Sequence, residues 1–139
     1  MMGCMPSASD PAPVTRADLQ SLCESLPEVT LGESWKRPAY LVAGKSFVNF
    51  REARKDCLDA ATGEPMDDVI VVTVADAGEK EALVSGDGPW FTIPHFEGYN
   101  AVLIRERDLA QLDYLELAEV VTDAWAARAP KKLVKAHLG

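Results

Sequence analysis

The side chains best suited to chemistry lie in one short block, residues 89–99, which contains four aromatic residues, a histidine, two prolines and a glycine. His95 stands in this block close to Glu97, the kind of setting that a general acid or base requires. In the alternative interpretation, His95 donates a hydrogen bond to a backbone carbonyl at a corner shaped by Pro94 and Gly98. Because a lone histidine without a nucleophile or a metal seldom makes an active site, the sequence predicts no enzymatic activity.

Motifs for cofactors and metals are absent from the sequence. It contains no G-x-S-x-G elbow, no phosphate-binding P-loop, no G-x-G-x-x-G and no H-E-x-x-H. Five acidic residues do cluster in the middle of the chain, but they lack the order of a calcium-binding loop: Asp56, Asp59, Glu64, Asp67 and Asp68. We interpret this cluster as a solvated loop, and we expect neither a metal nor a cofactor.

Charge is distributed unevenly along the chain. With 14 basic and 22 acidic side chains, the formal net charge is −8, which argues against tight nonspecific binding to DNA. Most cations nevertheless fall in two segments, and eight of them are candidates for contact with nucleic acid: Lys36, Arg37, Lys45, Arg51, Arg54, Lys55, Lys131 and Lys132. If the two segments meet, they form a phosphate-binding face. Alternatively, they solubilise an exposed hairpin and complement the end of a helix.

A second functional hypothesis is based on the aromatic residues. In this hypothesis the chain is a small-molecule or protein-interaction module with a pocket between the block at 89–99 and the C-terminal helix, and the candidate residues are Trp90, His95, Tyr99 and Trp125. Trp125 lies at helical spacing from Val121, so a place in the core is the simpler interpretation for it. Trp35 precedes two cations, where an indole either stacks on a base or covers the end of a sheet.

The first half of the chain predicts a helix followed by strands. Thr15 and Asp18 suggest a helix start, and apolar residues recur at helical spacing until Pro27. Residues 39–42 and 45–50 flank the pair Ala43-Gly44, which is typical of a tight hairpin. Strict alternation places Phe47 on the opposite face from Val48 and Phe50. A polar loop from 51 to 67, expected to be long and mobile, then leads to a β-branched strand at 69–74.

The second half predicts a short helix at 79–84, a strand near Trp90, a strand at 99–105 and a long helix. That helix starts with a capping-box pattern, Asp113 and Glu116, and carries an apolar stripe that includes Trp125. Together the elements predict an α+β two-layer sandwich, in which an antiparallel sheet of about five or six strands has the N- and C-terminal helices packed on one face.

The order of several short motifs resembles a known family. Upstream, Gly32-Glu33-Ser34-Trp35 precedes Pro38-Ala39-Tyr40 and Gly44-Lys45-Ser46-Phe47; downstream, the aromatic block is followed by Asp123-Ala124-Trp125 and Ala129-Pro130-Lys131-Lys132. This order resembles the MmcQ/YjbR-like family of small bacterial proteins, from about Leu19 to Leu138. The resemblance implies a CyaY-like fold, also described as a double wing, and a DNA-binding role, which we expect to be weak and salt-dependent in so acidic a chain. A helix-turn-helix is not recognisable.

Length and composition indicate one domain. The chain has 139 residues, of which 47% are hydrophobic, and we expect a flexible arm at 1–14 and a single domain at 15–139. No apolar run long enough for a membrane span and no secretion leader is evident, so we expect a cytoplasmic monomer. Cys4, Cys23 and Cys57 are odd in number, far apart in sequence and without a C-x-x-C pair, which argues against a disulfide framework or a structural zinc site. Cys23 is expected to face the core.

Overall fold

The computed structural model describes residues 14–34 and 37–138. Within these ranges, five antiparallel strands form one sheet in the order of the chain, which confirms the predicted α+β sandwich. The strands are β1 Val29–Ser34, β2 Arg37–Val42, β3 Lys45–Phe50, β4 Val69–Thr73 and β5 Ala101–Arg105. The predicted arm falls almost wholly outside the described residues, as do Trp35 and Lys36.

Four α-helices accompany the sheet in the described part of the chain: α1 Arg16–Ser25, α2 Ala77–Ser85, α3 Tyr114–Arg128 and α4 Lys131–Leu138. Both predicted capping pairs exist, because Thr15 with Asp18 starts α1 and Asp113 with Glu116 starts α3. α4 is an addition to the prediction. It follows Pro130, whose carbonyl accepts hydrogen bonds from the amides of Leu133 and Val134.

The β2–β3 hairpin turns at Ala43 and Gly44, whose φ angles are 53° and 78°. Two consecutive positive φ values are the signature of a type I′ turn, which matches the twist of the strands that it joins. The register then shifts by one residue, because Tyr40 pairs with Val48 and Leu41 pairs with Ser46. Phe47 is therefore an extra residue in β3. It packs in the same core as Val48 and Phe50, so strict alternation is wrong at this position.

The main core lies between the sheet and helices α1 and α3. Trp125 is fully buried there, and its Nε1 donates to the carbonyl oxygen of Pro27 at 3.1 Å. His137 of α4 packs its ring edgewise against Trp125, with 5.3 Å between the ring centroids. Cys23 faces this core as expected, and burial, followed by the nearby charge of Glu24, raises the pKa of its thiol to about 12.

A second, smaller core covers the other face of the sheet. Its buried residues come from β4, β5 and the preceding loop, namely Cys57, Val69, Val71, Ala101 and Leu103. Met66, Phe91, Ile93 and Phe96 pack over them. The predicted strand near Trp90 is reduced to one bridge, in which Phe91 and Leu103 exchange hydrogen bonds of 2.9 and 2.8 Å. Proline has no amide proton to donate to a strand ladder, so the extended segment ends before Pro94, where a 3-10 turn begins, Pro94–Phe96.

Ion pairs hold the loop at 51–68 against the sheet. Arg105, only 9% exposed, donates to Asp59 at 2.6 Å and to Asp68 at 2.8 Å. Hydrogen bonds from the Arg105 side chain and then from the Ala61 amide hold the pKa of Asp59 below its ordinary value. Part of the acidic cluster that was predicted to be solvated is therefore paired with an arginine, because Asp59 and Asp68 contact Arg105 of β5. No helix in the described ranges is long and apolar enough to cross a membrane.

Candidate ligand cavity beside His95

A cavity of about 470 Å³ opens on the face of the sheet that the helices leave free. Asn49 of β3 and Val71 of β4, which are direct partners across the two strands, lie at its floor. The segment 95–99 lies along one side, and His95, Phe96 and Tyr99 line the space. Its position on this face follows from strand alternation, since Ile70 and Val72 point to the helices instead.

Three arginines line the cavity: Arg37, Arg51 and Arg54. Arg37 begins β2 beside the end of β3, and its Nε donates to the carbonyl oxygen of Phe50 at 3.4 Å. No carboxylate within residues 14–34 and 37–138 pairs with Arg37. Arg54 pairs with Glu52 at 2.9 Å, and both side chains are 51% exposed, so solvent screens this pair. The local charge is therefore positive on a negative protein.

Arg51 is held more firmly than the other two arginines. Only 9% exposed, it donates from Nη1 and Nη2 to the two carboxylate oxygens of Asp56, at 2.9 and 2.7 Å. The hydrogen bond from Arg51 is the main reason that the pKa of Asp56 lies below its ordinary value. The guanidinium carbon lies 5.4 Å from the centroid of the Phe96 ring. Arg51 therefore stabilises the wall of the cavity, and its positive charge is neutralised by Asp56.

The side of the cavity formed by residues 95–99 is built from aromatic contacts and a lysine of α2. Phe96 meets His95 and Tyr99 edge to face, at centroid distances of 5.1 and 6.1 Å. Lys80 Nζ donates to the carbonyl oxygens of Phe96 and Tyr99 at 2.7 and 2.8 Å. Gly98 supplies the positive φ of 86° that closes this turn. Tyr99 remains 62% exposed, so part of its ring is available to a ligand.

His95 is exposed and has no close carboxylate partner among the described residues. Its side chain is 60% exposed, and Nδ1 lies 3.9 Å from Asp56, beyond hydrogen-bonding distance. Asp56 already accepts two hydrogen bonds from Arg51. Across the described ranges, no group of three His, Cys, Asp or Glu residues is placed to hold a metal ion.

The predicted pocket residues divide between the two faces of the sheet. His95 and Tyr99 line the cavity, whereas Trp90 and Trp125 are 6% and 0% exposed in the helix-side core. The cavity beside His95 does not lie between the aromatic block and the C-terminal helix, because the sheet separates it from α3. Phe96 also lines the cavity and Lys80 holds its wall from outside, and neither is among the predicted site residues, although Phe96 belongs to the same aromatic block.

The candidate nucleic-acid residues of the described chain lie at two ends of the sheet. Lys45 lies at the hairpin tip, whereas Arg51, Arg54 and Lys55 follow the other end of β3, about 16 Å away for a six-residue strand. Lys131 and Lys132 belong to α4, which packs on Trp125 near Pro27. Val29, which follows Pro27 closely, pairs with Val42 next to the β2–β3 turn, so α4 lies near the hairpin tip. Lys36 lies outside the described residues.

Comparisons with known proteins give a family but no activity. The family model described as YjbR matches residues 24–127. Proteins of Mycobacterium bovis and Mycobacterium tuberculosis, each described only as uncharacterized, are 39% identical over 107 residues, which is 76% of this chain and 72% of each relative. No solved structure was found to match the chain.

Proposed function

The chain belongs to the YjbR family, and from the cavity beside His95 we propose that it is a binding module without catalytic activity. Its ligand is a small molecule that carries an anionic group attached to a flat apolar part. The observation that carries this proposal is the guanidinium group of Arg37, which lines the cavity and pairs with no carboxylate of the described chain. A guanidinium group matches the geometry of carboxylate and phosphate oxygens, which favours such a ligand.

Shape and lining agree with a ligand of this class. A volume of about 470 Å³ is within the usual range for small-molecule pockets. Tyr99 and His95 present exposed rings at the opening, and Phe96 stands between them. Aromatic rings pack well against a flat apolar group, while the arginines supply its counter-charge.

Phenyl phosphate is a suitable probe, because it combines one ring with one anionic group. We expect saturable binding by isothermal titration calorimetry, with inorganic phosphate and phenol each binding more weakly. Replacement of Arg37 by Gln should weaken binding about tenfold or more, since it removes a charge-assisted contact. Lys45→Gln is the matched control, because it removes the same charge at the far hairpin tip. Equal losses in the two variants, or no saturable binding by the unmodified protein, would overturn the proposal.

DNA binding is the second candidate. Its support is the cluster of exposed cations, Arg54 and Lys55, beside Arg37 at one end of the sheet. The net charge of −8 and the two separate basic regions restrict it to weak, salt-dependent contact. Charge reversal should be made at Arg54 and Lys55 but not at Arg51, whose pairing with Asp56 is structural. Fluorescence anisotropy at low salt should then show reduced binding, and an absence of binding by the unmodified protein rejects this candidate.

We further propose that the protein is a cytoplasmic monomer.

A further inference from the structure

One lysine of α2 is tied to the chain segment that lines the cavity. Lys80 lies in the first turns of α2, whose start is capped by Asp76 through the amide of Glu79. Its ammonium group donates to two carbonyl oxygens that are close in sequence, those of Phe96 and Tyr99. The helix therefore holds a loop that lies 16 and 19 residues further along the chain.

The two carbonyls belong to residues whose rings line the cavity. Phe96 O also accepts from the Tyr99 amide at 3.0 Å, and Tyr99 O accepts from the Ala101 amide at 2.9 Å. The ammonium group thus completes a short turn that already depends on the positive φ of Gly98. Without it, these two carbonyls lose their charged donor, and the turn retains only its own weaker backbone contacts.

Lys80 does not itself line the cavity beside His95. It borders a separate, open cavity of about 480 Å³, together with Thr92, Ile93 and Glu97. The segment 92–99 is consequently a wall between the two spaces, and Lys80 reaches its carbonyls from the far side. Lys80 therefore makes no direct contact with a ligand beside His95, and its structural influence on that ligand is exerted through the position of this wall.

We propose that Lys80 is a positioning residue for the cavity, which fixes Phe96 and Tyr99 in the arrangement that receives the ligand. This inference rests on the proposed binding function and deepens it. A turn held in the bound arrangement before the ligand arrives loses less conformational freedom on binding, so the affinity is higher. The effect concerns affinity and local order more than global stability, because the side chain of Lys80 is only half-buried.

The test compares Lys80→Met with Lys80→Arg. Methionine keeps the aliphatic length and removes the donors, so we expect phenyl phosphate to bind roughly fivefold to tenfold more weakly. Arginine keeps a cationic donor and should restore most of the affinity. Lys135→Met, an exposed change of the same charge in α4, is the control and should bind as the unmodified protein does.

Hydrogen exchange supplies a readout that needs no ligand. The amides of Tyr99 and Ala101 should exchange faster in Lys80→Met and return to their original rates in Lys80→Arg, while Tm changes little. Unchanged exchange in Lys80→Met overturns the inference, and so does unchanged affinity. If the unmodified protein does not bind phenyl phosphate, the proposed function has failed; the exchange rates alone then decide whether Lys80 orders this turn.

Discussion

Arg51 and Asp56 form the most firmly held ion pair of the cavity wall, with two hydrogen bonds between two side chains. A nearly buried arginine depends on such a partner, because an unpaired charge away from water is costly. The lowered pKa of Asp56 has a direct consequence for stability. Its stabilising contribution is present above the ordinary pKa of an aspartate and is lost as the pH falls through the lowered pKa of the folded state.

Asp56→Asn should lower the free energy of unfolding by about 1–2 kcal/mol at pH 7, because Arg51 loses its charged acceptor while Asp56 itself is one-third exposed. Urea unfolding measures the change, and the difference from the unmodified protein should shrink as the pH falls through the Asp56 pKa. Glu52→Gln removes the same charge from an exposed pair and should cost less than about 0.5 kcal/mol. Similar costs for both variants would contradict this assignment.

Among the elements, those with local signals were predictable and those that depend on distant partners were not. The two capping residues of α1, and likewise those of α3, lie within four consecutive residues, and every residue of β4 is β-branched. Each of these signals is therefore visible in the sequence. α4 was missed because Pro130 both ends one helix and precedes another, and a proline is compatible with either role. The bulge at Phe47 was missed because register is set by the neighbouring strand.

The β2–β3 turn offers a test at this scale. Ala43 has a φ of 53°, a region that disfavours alanine and suits asparagine or glycine. Ala43→Asn should therefore stabilise the protein by about 0.5–1 kcal/mol in thermal unfolding. Gly44→Ala should do the opposite, since Gly44 has a φ of 78° and alanine would be strained there. A lower Tm for Ala43→Asn would show that the turn is not of this type.

For the molecule as a whole, the sheet is covered on both faces in different ways. Helices protect one face, while a long loop and the aromatic block protect the other. The cavity arises where this second cover leaves a gap, so its walls come from residues between Arg37 and Tyr99. The sequence pointed to His95 and Tyr99 by composition, but which face each side chain occupies depends on long-range pairing. For the same reason it could not show that the cations divide between two ends of the sheet.

The importance of the loop anchor can be measured by removing its central cation. Arg105→Met leaves Asp59 and Asp68 without their close partner. Because the nearby Arg107 still partly neutralises these carboxylates, we expect the free energy of unfolding to fall by about 3 kcal/mol, at the low end for a broken buried pair. Limited proteolysis should then cut first within 51–68, while the near-ultraviolet circular dichroism of the helix-side tryptophans persists. Arg107→Met, at a side chain that is 61% exposed, should cost under about 1 kcal/mol. If the near-ultraviolet circular dichroism is lost at the same time as the loop becomes cleavable, the loop and the helices unfold together.

The single bridge between Phe91 and Leu103 has a consequence for how copies of the protein can stack. It occupies the middle of the outer side of β5, whereas β1 has no strand on its outer side in the described chain. Fibril growth by repeated strand addition requires each unit to offer two open borders. With one border already obstructed, such stacking would stop at a pair, which limits polymerisation through the open border at β1.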